Sequence, residues 1–265
     1  MKEYGIKLGT ILFTLVEPHR GHELEYNRWY ERDHFYAGCM IGAHTFAGRR
    51  FVATRELKQL RRPAGPNPIT TDPTVGSYLA LYWILDGHHG EWNRWAVDQV
   101  NWLHANGRMF SERDHIHTLL YRYRWGVQRD PDGVSAELAL DHHYPGLAVV
   151  VGERSPGVDE AAAEARCRDE VLPNLMGPGS PVSLCLTFSP LPLLGDAPSD
   201  VPRSEAAEER FLQLCFLDEE PAAVWDETMA DHGDALEKAG VGRLLFSSPF
   251  VPTVVGTDTY ADRLW

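Results

Sequence analysis

Tyr26-Asn27-Arg28-Trp29-Tyr30-Glu31-Arg32-Asp33-His34-Phe35-Tyr36 is helix-forming, dense in aromatic rings, and carries one acid–imidazole pair. It lies between an apolar strand candidate at 8–15 and an Arg-bearing one at 46–54. A strand–helix–strand unit with His34 near the end of its helix sets one titratable group beside a largely apolar sheet. Asp33 is adjacent in sequence, so on a helix it points about 100° away from His34 and is a poor partner for it.

Working outward, alternating and apolar runs predict strands at 7–15, 45–54, 77–85 and 117–126, with helices at 22–40 and 89–113. The segment 60–76 is rich in Pro, Gly and Thr and reads as a loop, with a lid as one reading. A turn-rich stretch follows Trp125, and then the order restarts. Strands at 147–154, 182–189, 210–217 and 243–250 alternate with helices at 158–176 and 221–239, and 190–208 is a second Pro-rich loop. Each half is therefore β-α-β, long loop, β-α-β, the split βαβ order of a ferredoxin-like domain. The expected fold class is α+β, with two tandem ferredoxin-like units whose antiparallel sheets pair into a barrel. The expected division is an N-terminal domain over 1–130, a linker over 131–146 and a C-terminal domain over 147–265. An ERDH tetrapeptide at 31–34 returns at 112–115, which reads as a chance match. The tail 257–265 is aromatic and reads equally as a docked or a free segment.

Composition narrows the function. The 265 residues are 43% hydrophobic with a mean hydropathy of −0.32, an ordinary soluble globular profile with enough chain for a real core. The net charge of −13 argues against nucleic acid, which needs clustered Lys and Arg. No apolar run reaches the roughly 18 residues of a membrane span, and no secretory signal is visible, so the expected location is cytoplasmic with no membrane partner. Cys39, Cys167, Cys185 and Cys215 show no CxxC spacing and read as reduced, buried thiols.

The run from Glu25 to His34, then Gly42 and Phe46-Ala47-Gly48-Arg49-Arg50-Phe51, resembles the first helix and second strand of dimeric α+β barrel proteins of the EthD-like and antibiotic-biosynthesis-monooxygenase-like families. Their pattern is a helical F/Y-x-x-W-Y-x-x-x-H followed by a Gly and an Arg-bearing strand. Ser77 to Trp83 resembles their third strand. The resemblance covers 7–126, whereas 147–250 matches only in the order of elements. It implies the fold and a catalytic role for His34, while the reaction stays open among cofactor-free monooxygenases, cyclases, isomerases, decarboxylases and haem enzymes.

His34 is the leading candidate, because an imidazole is the natural proton shuttle at neutral pH. A helix C-terminus would favour its protonated form; the alternative is a capping histidine held by backbone carbonyls. Tyr82 and Tyr121 are candidate proton partners. The first half holds six of the eight tryptophans, so the pocket is expected there. Trp29, Tyr30, Tyr36, Trp83, Trp95 and Tyr123 are candidate walls for a flat apolar ligand. On strand 117–125, His117, Leu119, Tyr121, Tyr123 and Trp125 alternate with the other residues, so His117 and the tyrosines could complete a pair with His34 beneath the helices. Arg49 and Arg50 point to opposite faces, so only one can meet a ligand, and Arg49 is taken as that one. His115 and His117 share a strand face, while His88-His89 and His142-His143 are adjacent pairs that point apart. None has HExxH or another recognisable metal spacing, so no metal site is expected.

These readings converge on a cofactor-independent enzyme using general acid–base catalysis on a hydrophobic, aromatic or polyketide-like small molecule. Cyclisation, dehydration, isomerisation or another lyase step would follow. The alternatives are a cofactor-free monooxygenase, a haem- or metal-binding enzyme, or a non-catalytic binding barrel. The expected oligomeric state is monomer or homodimer.

Overall fold

The computed structural model describes residues 5–197, 201 and 207–265. Among these, the first half contributes β1 (Leu8–Pro18), β2 (Thr45–Val52), β3 (Tyr78–Leu85) and β4 (Arg113–Gln128). The second contributes β5 (Gly146–Arg154), β6 (Val182–Leu191), β7 (Arg210–Leu217) and β8 (Gly242–Pro252). The strands close into one barrel in the order β1-β3-β2-β8-β5-β7-β6-β4, and every neighbouring pair is antiparallel. Each half thus has the ferredoxin-like strand order, and the halves join edge to edge through β2–β8 and β4–β6. Closure removes all free sheet edges.

Helices cover the outside. The first half carries α1 (Glu23–Trp29), a π-helical segment at Tyr30–Met40, α2 (Arg55–Gln59) and α3 (His89–Ala105). The second carries α4 (Glu160–Arg166), a π segment at Cys167–Val171, α5 (Leu172–Leu175), α6 (Pro221–Thr228) and α7 (His232–Lys238). The expected helix 89–113 ends at Ala105, where Gly107 adopts φ +65° and turns the chain toward β4. Likewise the expected helix 221–239 breaks between Thr228 and His232.

Strands covered on both faces need apolar residues at successive positions, which is why β1, β3 and β5 read as near-continuous hydrophobic runs. Inside the barrel Ile11, Phe13, Leu81, Trp83, Val149, Leu214, Phe216 and Phe246 are essentially inaccessible and form one core shared by both halves. The connector packs into the same core through Ala136, Ala139, Leu140 and Tyr144, and the Trp83 indole donates to the Ala136 carbonyl at 2.8 Å.

The 60–76 loop is pinned, not a lid. Buried Arg61 donates to Ser248 Oγ at 3.0 Å and to the carbonyls of Pro73 and Gly76, each at 2.7 Å. The tail docks: Leu264 is buried, Asn27 Nδ2 donates to the Thr257 carbonyl at 2.9 Å, and Arg28 pairs with Asp258. The second Pro-rich loop lies partly outside the described residues. All four cysteines are free and buried, and no helix among the described residues is long and apolar enough to cross a membrane.

Candidate active site

A cavity of about 100 Å³ lies between the helices of the first half and the outer face of its sheet, with Leu193, Ala197 and Val201 from the segment after β6 also lining it. β1 and β4 supply the floor through Leu12, Thr14, Thr118 and Leu120. The walls come from one face of α3, where Trp92, Ala96 and Val100 recur at helical spacing beside Asn93 and Val97, and from His34, Gly38 and Cys39 of the π segment. The cavity exists because the wall residues at its centre are small.

His34 lies mid-segment rather than at a helix end, since the π turn carries the helix on to Met40. Its i→i+5 hydrogen-bond pattern brings residues five apart onto one face. The His34 ring accordingly stacks on Trp29 at 4.6 Å and 18°, with Tyr30 edge-on at 5.1 Å. Gly38 completes the cradle: a Cβ there would sit 2.7 Å from His34 Cε1. The ring lines the cavity, and its Nδ1 has no hydrogen-bond partner. Burial, reinforced by the positive charge of Arg113, lowers its pKa to about 3. The expected helix-end dipole is absent, and desolvation makes His34 a neutral imidazole at neutral pH.

Across the cavity stands a polar cluster that the sequence reading missed. His115 Nδ1 lies 2.9 Å from Thr118 Oγ1, which in turn is 3.0 Å from Thr14 Oγ1. Arg113 Nη2 approaches His115 Nε2 at 3.3 Å. A guanidinium can only donate, so Nε2 accepts and Nδ1 carries the hydrogen toward Thr118. The Arg113 guanidinium also lies 5.5 Å from the Trp29 ring centre. No carboxylate lines the cavity among the described residues. Asp33 instead pairs with Arg108.

The other sequence candidates scatter. Tyr30 lines the cavity, with its hydroxyl 2.9 Å from that of Tyr82, which is sealed beneath it and does not reach the space. Trp29 backs His34 and donates from Nε1 to the Arg108 carbonyl at 2.9 Å. Trp95 packs over Gly42, and Tyr36 is exposed. Tyr121, His117, Tyr123 and Trp83 point to the opposite face of the sheet, into the barrel, where His117 Nε2 bonds the Tyr121 hydroxyl at 2.8 Å. The His/Tyr row therefore cannot pair with His34.

His115 and His117 do not share a face either. Leu15 pairs with His117 but Val16 with His115, so a bulge at Ile116 inserts one residue and flips the parity. A second bulge at Arg124 turns Trp125 away from Tyr123, out of the barrel. Arg49 binds the connector carbonyl of Leu140 at 3.0 Å. Arg50 is the one that turns toward the helices, stacking on Tyr26, Tyr30 and Tyr78 and donating to Asn27 Oδ1 at 2.9 Å. The sequence did hold one signal for the missed cluster: both histidines of the repeated ERDH face the same cavity, from a π turn and a bulged strand.

An engineered cavity of about 150 Å³ holds a benzene ring. The present space is of that scale, suited to a single ring and far below a four-pyrrole macrocycle.

No family profile and no curated protein matches the sequence. Solved structures match in fold. A candidate chlorite dismutase superposes with a TM-score of 0.53 at 10% identity, over 98% of this chain and 100% of the other. An anthrone oxidase-like protein gives 0.50 at 12% identity, with 95% of each chain covered. A candidate monooxygenase from Fusobacterium nucleatum gives 0.50 at 10%, with 94% of each covered.

Proposed function

Taking the chain as a dimeric α+β barrel protein, doubled within one polypeptide, we propose that it is an enzyme acting on a small, flat, hydrophobic molecule held in the first-half cavity. The observation that carries this reading is a neutral imidazole, one nitrogen of it without a hydrogen-bond partner, whose ring lines a largely apolar cavity with Arg113 at its rim. A buried polar nitrogen left without a partner costs about 1–3 kcal/mol, which a turn of the ring toward a ligand hydroxyl would offset.

The chemistry is general acid–base. His34 takes a proton from an acidic O–H or activated C–H of the ligand. In the empty cavity a lone imidazolium is penalised by desolvation. Once the ligand is anionic beside it, the ion pair restores the lost solvation and raises the basicity of His34. Arg113, with the His115–Thr118 pair, faces the developing oxyanion. Returning the proton to another atom of the ligand, or expelling a leaving group, gives isomerisation, cyclisation or dehydration without a cofactor. Tyr30 holds the ligand plane against the sheet.

A second reading rests on two of the fold neighbours, described as anthrone oxidase-like and as a monooxygenase. Here the same deprotonation makes an electron-rich carbanion that reacts with dioxygen. A non-catalytic pocket would need neither Arg113 nor an unpartnered His34 nitrogen.

The test starts with mass spectrometry of the native protein for a co-purified ligand, then turnover of that ligand or of small phenols. His34→Ala is expected to fold and to lose about 10²–10⁴-fold in turnover. Activity retained in His34→Ala removes His34 from the mechanism. Oxygen uptake during turnover separates the two readings.

A further inference from the structure

Outside the cavity, three side chains from two elements converge at one end of the first half. His44 sits in the turn between the π segment and β2, with φ +76°. His88 precedes α3, and Glu91 stands in its first turn. His44 Nε2 lies 2.9 Å and His88 Nδ1 3.1 Å from the same Glu91 oxygen, Oε2. The two imidazole rings lie parallel, with centroids 3.8 Å apart and 9° between planes. One donor atom from each residue falls within 4.8 Å of the others, and this is the one such group of three among the described residues.

We propose that His44, His88 and Glu91 form a binding site for a divalent transition ion of the zinc type. Such an ion takes imidazole nitrogen and carboxylate oxygen at about 2.0–2.2 Å, so its ligand atoms lie about 2.9–3.5 Å apart along a tetrahedral or octahedral edge. The two N···O separations already fall in that range, and the two half-exposed rings admit the ion by rotating out of their stack, so that each in-plane lone pair faces it. Two imidazoles and a carboxylate suit zinc, nickel or copper better than calcium or magnesium, which take oxygen ligands. Water completes the shell on the solvent side.

The placement gives the ion a task. It ties the turn that ends the π segment to the start of α3, the two elements that hold the cavity walls. Trp92, one residue beyond Glu91, lines the cavity and donates from Nε1 to Thr45 Oγ1 at 2.6 Å, beside His44. A bound ion would brace the cavity from outside, without touching the ligand.

The experiment is calorimetric titration of chelator-treated full-length protein with zinc chloride, with thermal unfolding alongside. One ion per chain is expected, with a dissociation constant in the micromolar range or tighter and a higher Tm with zinc. His44→Asn, chosen because Asn tolerates positive φ, and Glu91→Gln should each weaken binding by more than about tenfold and abolish the Tm shift. His22→Ala and His142→Ala, at exposed histidines elsewhere, should leave both unchanged. Absence of zinc binding overturns the proposal, as does binding that survives His44→Asn. Loss in the His22 or His142 variant instead would assign the ion to an adventitious histidine cluster and equally overturn it.

Discussion

In the second half, Met176, Trp225, Met229 and Leu236 descend from the helical segments onto Ala148, Val150, Cys185 and Cys215 and close the space above the sheet. In the first half, Gly38, Ala96, Val97 and Val100 stand over Leu12, Thr14, Thr118 and Leu120 and leave it open. The two halves share strand order and a π turn after the first helix, so topology does not decide which of them has a cavity. Side-chain volume on the facing helices does. Buried polar groups lack partners in both halves, Trp225 Nε1 and Thr187 Oγ1 in the second as His34 Nδ1 in the first. His232 Nε2 is matched to Gln213 Oε1 at 3.0 Å, and Gln213 Nε2 to Cys167 Sγ at 3.1 Å, so that cluster is satisfied internally. His34 Nδ1 has no partner, on a ring that lines the cavity. A matched polar cluster stabilises a fold.

Removing the Trp225 plug of the second half has the largest expected effect. Trp225→Ala should cost about 3–5 kcal/mol in denaturant unfolding, because rigid surroundings leave a void. Val97→Ala, which only enlarges an existing cavity, should cost about 1 kcal/mol. Equal losses at the two positions would mean that the first-half walls are as tightly packed as the second.

Next in size is the acid response. Burial lowers His34 to about 3 and His232 to about 4. Unfolded histidines titrate near 6.5. Between those limits the unfolded chain binds protons that the folded chain refuses, so stability falls as pH drops below about 6.5. Each histidine contributes a slope of about 1.4 kcal/mol per pH unit. His34→Gln should remove one such slope, down to about pH 3, measured by denaturant midpoints across pH. An unchanged slope would show that the ring gains solvent when the cavity fills with water.

The smallest effect concerns the cradle. Gly38→Ala improves helix propensity by up to about 1 kcal/mol. Its new Cβ meets the His34 ring, so stability should change little while ligand affinity and turnover fall. Stability and turnover both unchanged would show that the ring position is not critical.

Much of the fold was legible because the signals are local. The apolar runs in β1, β3 and β5 and the turn residues between them mark strands whatever packs on them. The doubled order of elements then leaves few antiparallel arrangements. His34 was legible as an isolated imidazole in an aromatic helix. Its partners were not. Strict alternation places His115 beside His117, and Trp125 beside Tyr123, but one extra residue at Ile116 and another at Arg124 reverse the parity. Nothing in the sequence marks those bulges, because the extra residue shows only in the pairing with the neighbouring strand.

The two ferredoxin-like halves, their strands, the reduced cysteines and a histidine in an aromatic setting can all be read from short windows of sequence, because periodicity and composition are local properties. Only the tertiary structure decided which arginine of the Arg49-Arg50 pair turns toward the helices, which face receives His115, and that His44 meets His88 and Glu91. Those outcomes depend on register and on side-chain volume across the fold, which no window of sequence contains.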